Sequence, residues 1–539
     1  MGARSVLTST GVGCTRSFNV GASFSESGSF GQVNVLLVLR EQTRKGGMAI
    51  FECGIASGDP LTDRVVIWTR VESDQPSAEV AWVVALDQAM TNVVATGTAM
   101  AQPQHDHTVH VDVACLEQDT YYWYKFRAMG QDSPIGRTRT LPADPSSVRF
   151  AYTSCAKHNA GFFNVYARIA DRDDISFLLH LGDYIYETSE TPPASQTPSR
   201  NIGRPFDPPH ECLTLADYRV RYRQYRRDPD VQALHLRHPI IQTTDDHEVA
   251  DGAWRDGAQE HKAEYGPWAQ RKIEAFQARY EWLPIRHPDP DDPLRVWRSI
   301  PLGSLADIIL IETRLHRDEP VAGDAMKDPS RSVLGPDQRA WLWETIQSST
   351  ARWRVLGNPS VMAQTWLPDL PEDIKMPLEK VKLIDRGVDG PDYDQWDGYP
   401  AERKQLLDLI ESRGRGTSIV LSADVHVGLA IELNQDAYER DEPVCVELVS
   451  PSITSQNLDD KMKWGYRVES LPLEARILES LPHWRWVDLD SHGYVVVDLD
   501  ADRVHAEFWG VPTVLKRVNG ETLLASFQTR HGDPHLTKL

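Results

Sequence analysis

Six short apolar runs in this chain each break off into a polar tip, and this punctuation constrains the fold more than any other feature. Val148-Arg149-Phe150-Ala151-Tyr152 ends in Thr153-Ser154-Cys155, and Phe177-Leu178-Leu179-His180-Leu181 ends at Gly182-Asp183. His238-Pro239-Ile240-Ile241-Gln242 leads to Asp245-Asp246-His247, and Ala306-Asp307-Ile308-Ile309-Leu310-Ile311 leads to Glu312-Thr313-Arg314. Arg354-Val355-Leu356 leads to Gly357-Asn358, and Ser418-Ile419-Val420-Leu421 leads to Ser422-Ala423-Asp424-Val425-His426. Short apolar runs of this kind suit strands covered on both faces. Helical patterns lie between them, the first carrying Phe163, Tyr166 and Ile169. Strand, tip and helix in repetition predict an α/β architecture. Ligands in such sheets sit at the carboxyl ends of the strands. Five of the tips are therefore expected to converge on one site.

Upstream of residue 140 the period changes to two. Arg64–Arg70, Val80–Ala85, Thr108–Val113 and Tyr122–Arg127 read as strands, and their spacing predicts a β-sandwich. Leu116–Tyr122 looks like the tyrosine-bearing corner of a fibronectin-type or immunoglobulin-like module. Leu141-Pro142-Ala143-Asp144-Pro145 reads as a linker.

Charge narrows the partners. There are 57 Lys and Arg against 78 Asp and Glu, a net charge of −21. That excess excludes a general nucleic-acid binder, which needs a basic footprint. No apolar run approaches the ~20 residues that span a bilayer, so no stable membrane insertion is expected. Six Cys are scattered without a CxxC, which excludes a zinc ribbon and a thioredoxin-type motif. Tyr218, Tyr222 and Tyr225 stand among arginines at helical spacing, which predicts a helix packing through its tyrosines. Asp289, Asp291 and Asp292 read as a solvated loop. No twin arginine precedes an apolar stretch near the start, and Val6 stands where a myristoylation motif needs Ser or Thr.

The tips carry Cys155, Asp183 with Tyr186, Asp245-Asp246-His247-Glu248, Asn358 and Asp424-x-His426. Taken singly, each is more often structural than functional. Together at strand ends they point to a metal centre. A carboxylate such as Asp183 can bridge two cations that hold an attacking hydroxide for in-line displacement at phosphorus. A thiolate and a phenolate suit a transition metal such as ferric iron, while an oxygen-only set suits a harder ion. His247 is placed to orient substrate or protonate the leaving alkoxide. Glu248 is expected to fix His247 from behind.

Gly182-Asp183-Tyr184-Ile185-Tyr186-Glu187, Asp246-His247-Glu248 and Asp424-x-His426 resemble the calcineurin-like metallophosphoesterase pattern. With Thr153-Ser154-Cys155, Gly54–Pro60 and Val66–Arg70, the set more narrowly resembles the PhoD-type alkaline phosphatase/phosphodiesterase family, over roughly residues 50–510. The resemblance implies hydrolysis of phosphate mono- and diesters by attack of metal-bound hydroxide at an iron-plus-calcium centre, with one or two calcium ions and other divalent metals as alternatives. By position, Cys155, Asp183, Tyr186 and His426 resemble the iron ligands. Asp183 would bridge, Asp246 and Asp424 would serve the calcium side, and Asn358 resembles the strand-end Asn near the phosphate. Asp245, Glu248 and Asp251 would stand behind these.

The implied organisation is a disordered tail at 1–47, an immunoglobulin- or fibronectin-like all-β domain at 48–143, an α/β (α+β) metallophosphoesterase sandwich at 147–510, and an extension at 511–539 that could supply a lid. The implied partner is a small phosphate ester. Family members are often exported, but this chain as written carries no such address. Three departures stand out: Thr244 replaces the family's Trp, Asp251 its Asn and Ala423 its Gly. Two rival readings compete. One is a cysteine hydrolase pairing Cys155 with His426; a serine hydrolase lacks its G-x-S-x-G elbow. The other is a non-catalytic binding protein stabilised by metal.

Overall fold

The computed structural model describes residues 50–191, 200–366, 370–385, 390–391, 393–437, 439 and 442–539. The expected tail at 1–47 lies outside them. The first strands are β1 (Ile55–Gly58), β2 (Val65–Arg70), β3 (Ala78–Ala85), β4 (Val93–Ala101), β5 (Thr108–Val113), β6 (Tyr121–Ala128) and β7 (Gly136–Arg139). Strands β3, β4, β6 and β7 form one sheet. It shares an apolar core with β1, β2 and β5 through Ile67, Val80, Trp82, Val109, Tyr124 and Phe126. The Tyr122 hydroxyl accepts from the Glu117 backbone N–H at 2.8 Å and donates to the Glu117 carbonyl at 3.3 Å. It thereby ties the corner to the strand that follows.

The chain beyond residue 146 contributes β8 (Ser147–Thr153), β9 (Leu178–His180), β10 (Ile240–Gln242), β11 (Arg298–Leu302), β12 (Ala306–Leu310), β13 (Trp353–Gly357) and β14 (Ser418–Ser422). Then come β15 (Gly428–Leu433), β16 (Cys445–Val449), β17 (Trp484–Asp488), β18 (Gly493–Asp500), β19 (Arg503–Gly510), β20 (Thr522–Arg530) and β21 (Asp533–Lys538). They build two sheets. One runs β21-β20-β19-β18-β8-β9-β10-β1-β2-β5, the other β11-β12-β13-β14-β16-β15-β17. Strands β8, β9 and β10 are parallel to one another, as are β12, β13 and β14.

Strand alternation explains the layering, because successive side chains leave opposite faces. Phe150, Tyr152, Leu179 and Ile241 of the first sheet meet Ile308, Leu310, Val355, Ile419 and Leu421 of the second in one core. Their neighbours Ala151, Leu178 and Ile240 face helices on one outside, and Ile309, Leu356 and Val420 face helices on the other. The result is four layers, α/β/β/α.

The N-terminal strands are continuous with the rest of the chain, because β1 continues the large sheet beside β10 through Gly58 and Ile240. Residues 511–539, expected as an extension that could supply a lid, carry its last two strands. Strands β20 and β21 extend the large sheet antiparallel to β19, and Ala525 and Phe527 enter the inter-sheet core. Ala525 and Phe527 stand two residues apart on β20 and so leave the same face of the sheet. The tyrosine-bearing helix is α1 (Leu215–Arg226), with Tyr218, Tyr222 and Tyr225 fully buried. A second helix, α2, spans Trp268–Trp282. No helix among the described residues is long and apolar enough to cross a membrane.

Candidate metal centre

The carboxyl ends of β8, β9, β10 and β14 meet where the two sheets adjoin. The ligand atoms of Cys155, Asp183 and His426 all lie within 4.8 Å of one another. The same holds for Asp183, Asp245, Asp246 and Asp424, and for Asp183, Asp246 and His247. Asp183 belongs to all three groups, the position a bridging carboxylate requires. Tyr186 completes the first group: its hydroxyl donates to Asp183 Oδ2 at 2.7 Å, lies 3.3 Å from His426 Nε2 and accepts from Ser455 Oγ at 2.6 Å. His426 Nδ1 lies 3.0 Å from the Gln456 carbonyl. A carbonyl only accepts, so this contact puts the proton on Nδ1 and leaves the Nε2 lone pair for the centre.

The backbone at these tips is unusual. Cys155, Asp183, Asp424 and His426 have φ of 61°, 55°, 72° and 64°, a region that side chains other than Gly rarely adopt. Gly182 precedes Asp183 with φ 108°, and a Cβ there would stand 2.4 Å from the Asp245 backbone nitrogen. The two tips pass too closely for any side chain. Ala423 does not take a positive φ, so its replacement of Gly leaves the turn unstrained.

Glu248 does not hold His247 as expected. It accepts from the backbone N–H groups of Asp183 at 3.1 Å, Tyr184 at 2.7 Å and Asp245 at 2.9 Å, and from Thr244 Oγ1 at 3.1 Å. It is the clasp between the tips of β9 and β10, and Thr244 contributes to it. The carboxylate beside His247 is Glu187, with Oε2 2.7 Å from Nδ1, while its other oxygen accepts from the Asp251 N–H at 2.7 Å. Glu187 stands in the Gly182–Glu187 run, and only its fully buried carboxylate reveals its role.

Arg314 is the second residue that sequence reasoning missed. It stands on the tip after β12, the one tip assigned no chemistry. Its buried guanidinium lies 3.0 Å from Asp424 Oδ2 and pairs with Asp245 and Asp394. Asn358 sits at the end of β13 with its amide engaged: Nδ2 donates to Ser422 Oγ at 2.9 Å, and Oδ1 accepts from Trp396 Nε1 at 2.9 Å. Asp251 faces Lys382 Nζ at 3.3 Å.

These residues fit a resident cation. Asp246 Oδ1 is buried with no hydrogen-bond partner, and such an atom is costly without a compensating charge. Burial pushes the Asp183 carboxyl well up, and Asp246, Glu248 and Asp424 add to this against the opposing His247. Burial likewise pushes up the Cys155 thiol, with Asp183 and Asp424 reinforcing it, and the Tyr186 phenol, with Asp183 and Cys155 reinforcing it. Groups so placed ionise against a positive ion, as metal ligation demands. For His247, burial pulls the imidazole down, but Glu187, Asp183 and Asp246 outweigh it and raise it well above its ordinary value.

Two facing sheets that gather carboxylates, imidazoles and a shared Asp at their strand ends define a metallophosphoesterase. The profile of the PhoD-like phosphatase matches residues 150–508, and that of its N-terminal domain matches residues 38–142. The chain belongs to the PhoD-like phosphatase family. It is 31% identical over 510 residues to alkaline phosphatase D of Bacillus subtilis (strain 168), covering 91% of this chain and 82% of that one. The solved structure of PhoD superimposes with a TM-score of 0.79 at 30% identity, over 92% of this chain and 93% of that one. Purple acid phosphatase PPD1 from yellow lupin (Lupinus luteus) seeds shares the fold, with a TM-score of 0.54 at 12% identity over 88% of this chain and 73% of that one. The protein is a metal-dependent phosphoric ester hydrolase. Neither the cysteine-hydrolase nor the binding-protein reading is supported.

Proposed function

We propose that the centre holds two unlike metals and hydrolyses phosphate mono- or diesters in the manner of an alkaline phosphatase. Cys155, Tyr186, His426 and Asp183 would hold ferric iron; Asp183, Asp246 and Asp424 would hold calcium or another hard divalent ion. The observation that carries this is the shared Asp183, which joins a sulfur–nitrogen–phenol set to an all-carboxylate set. Soft, strongly donating ligands on one side and oxygens on the other discriminate between metals. Bound there, such cations supply Lewis acidity at the phosphoryl oxygens and make water acidic enough to attack near neutral pH.

The chain's own residues do the rest. His247, held by Glu187, would present its Nε2 proton to the leaving oxygen. Arg314 would hold Asp245 and Asp424 in place between the sheets. Glu248 would fix the spacing of the Asp183 and Asp246 tips, and Asn358 would brace the end of β13 beside them. In the same reading, the β-sandwich is an immunoglobulin-like module that backs the large sheet.

Elemental analysis of the purified protein tests the metal assignment. Iron and calcium should both be present, and Cys155→Ser should lower iron more than calcium. A parent protein without iron ends that assignment. A second check needs no turnover: a phenolate bound to ferric iron gives a visible charge-transfer band, which Tyr186→Phe should remove.

A further inference from the structure

Gln395 is fully buried in the segment ahead of the helix Pro400–Ser412, and its side chain spans two strand tips. Oε1 accepts from the Val361 backbone N–H at 2.7 Å, just beyond the tip of β13. Nε2 donates to Asp424 Oδ2 at 2.5 Å, on the tip of β14. These partners settle which way the amide points. A flipped amide would set its oxygen against a carboxylate and its NH2 group against an N–H. The residues on either side grip the neighbouring tips of the same sheet. Asp394 pairs with Arg314 at 2.5 Å after β12, and Trp396 Nε1 donates to Asn358 Oδ1 at 2.9 Å after β13.

Asp424 Oδ2 therefore has two donors beside it, the Gln395 amide and the Arg314 guanidinium at 3.0 Å. Among the described residues nothing donates to Asp424 Oδ1. Asp246 repeats this pattern on the facing sheet: Oδ2 accepts from the Gly252 N–H at 2.8 Å, and Oδ1 is buried without a partner. In both carboxylates the protein holds one oxygen and leaves the other for an ion. Arg314 divides its donors among Asp424, Asp245 and Asp394. The Gln395 NH2 group serves Asp424 alone among the described residues. Being uncharged, it orients the carboxylate without neutralising the charge that a cation needs.

We infer that Gln395 is a positioning residue for the second metal: by holding Oδ2 it turns Asp424 so that Oδ1 alone binds the ion. The inference rests on the two-metal reading of the centre. Calcium accepts a carboxylate through one oxygen or through two, so the hold on Oδ2 decides how many ligand positions Asp424 fills. Hydrogen-bond partners behind a ligand govern metal affinity by about ten- to hundredfold.

Two measurements test it: calcium titration of the iron-loaded parent and of Gln395→Met, and a crystal structure of the calcium-loaded parent. Met keeps the length and burial of Gln but has no donor and no charge. Gln395→Met should weaken calcium binding about ten- to hundredfold and leave iron content and the visible ferric band at parental values. The crystal structure should show Asp424 bound through Oδ1, with Oδ2 on Gln395. Parental calcium affinity in Gln395→Met overturns the inference and leaves the two-metal reading standing. So does an Asp424 bound through both oxygens. Equal loss of iron and calcium in the variant marks Gln395 as a general clamp on the loop, and also overturns the positioning role. If Gln395→Met does not fold, the mode of Asp424 binding in the parent decides alone. A parent that binds neither calcium nor manganese beside its iron ends the two-metal reading, and the inference with it.

Discussion

Left-handed backbone at Cys155, Asp183, Asp424 and His426 is held against its intrinsic cost, about 1–3 kcal/mol for each such residue. Strain of this kind persists where surrounding contacts over-determine it, and here Glu248 and the closely passing Gly182 do so. Gly182→Ala should cost at least about 1–3 kcal/mol and lower turnover together with metal content, read by urea unfolding and elemental analysis. Asp183→Asn keeps the shape but removes the charge shared by all three ligand groups. Activity on an aryl phosphate should fall to background while the circular dichroism spectrum stays that of the parent; near-parental turnover would refute the bridging role. The identities of the ligand candidates were legible in the sequence because each followed an apolar run. Their supports were not. Glu187 and Glu248 are both carboxylates near His247 in sequence, and only three-dimensional direction assigns the imidazole to Glu187 and the backbone clasp to Glu248. Arg314 was visible as a strand tip, but a cation among expected metal ligands gives no sign of its use until the carboxylates around it are seen.

At the scale of elements, buried strands read reliably and their partners do not. The runs at 148–152, 177–181 and 418–421 show an apolar core segment, yet nothing in them says that three tips come from one sheet and three from another. The C-terminal segment shows the same limit. It read only as an extension, because its pairing with β19 joins residues that only the closed sheet brings together. Phe527, buried in the inter-sheet core, gives a test of this role. Phe527→Ala should cost about 3–5 kcal/mol, with the lower end expected on this outer strand. Ending the chain after Gly520 should lower the thermal midpoint and bare the β19 edge to aggregation, without improving kcat/KM on bulky esters. Improved access would support the lid reading. A smaller effect belongs to α1, whose Thr214 and Asp217 form a reciprocal capping box: Thr214→Ala should cost about 1 kcal/mol in denaturant titration.

At the scale of the whole molecule, the change of period near residue 140 suggests two units joined by a linker, yet the packing couples them. Trp68 on β2 donates from Nε1 to the Glu281 carbonyl at 2.9 Å and lies 5.9 Å from Trp282, ring centroid to centroid. The Arg226 guanidinium lies 4.4 Å from the Trp68 ring, and Arg70 lies 5.4 Å from that of Trp282. Aromatic and cation–π contacts of this depth add to the burial of large rings. Their partners sit on α1 and α2, the helices that cover the sheet bearing Asp183 and Asp246. The β-sandwich therefore supports the back of the catalytic sheet, and unfolding either part exposes the other. Calorimetry should show one transition in which N-terminal and catalytic parts melt together, and Trp68→Ala should destabilise that transition by about 3–5 kcal/mol. If the variant instead splits the melt into two steps with the later one at the parental midpoint, the sandwich is an independent appendage and the centre stands without it.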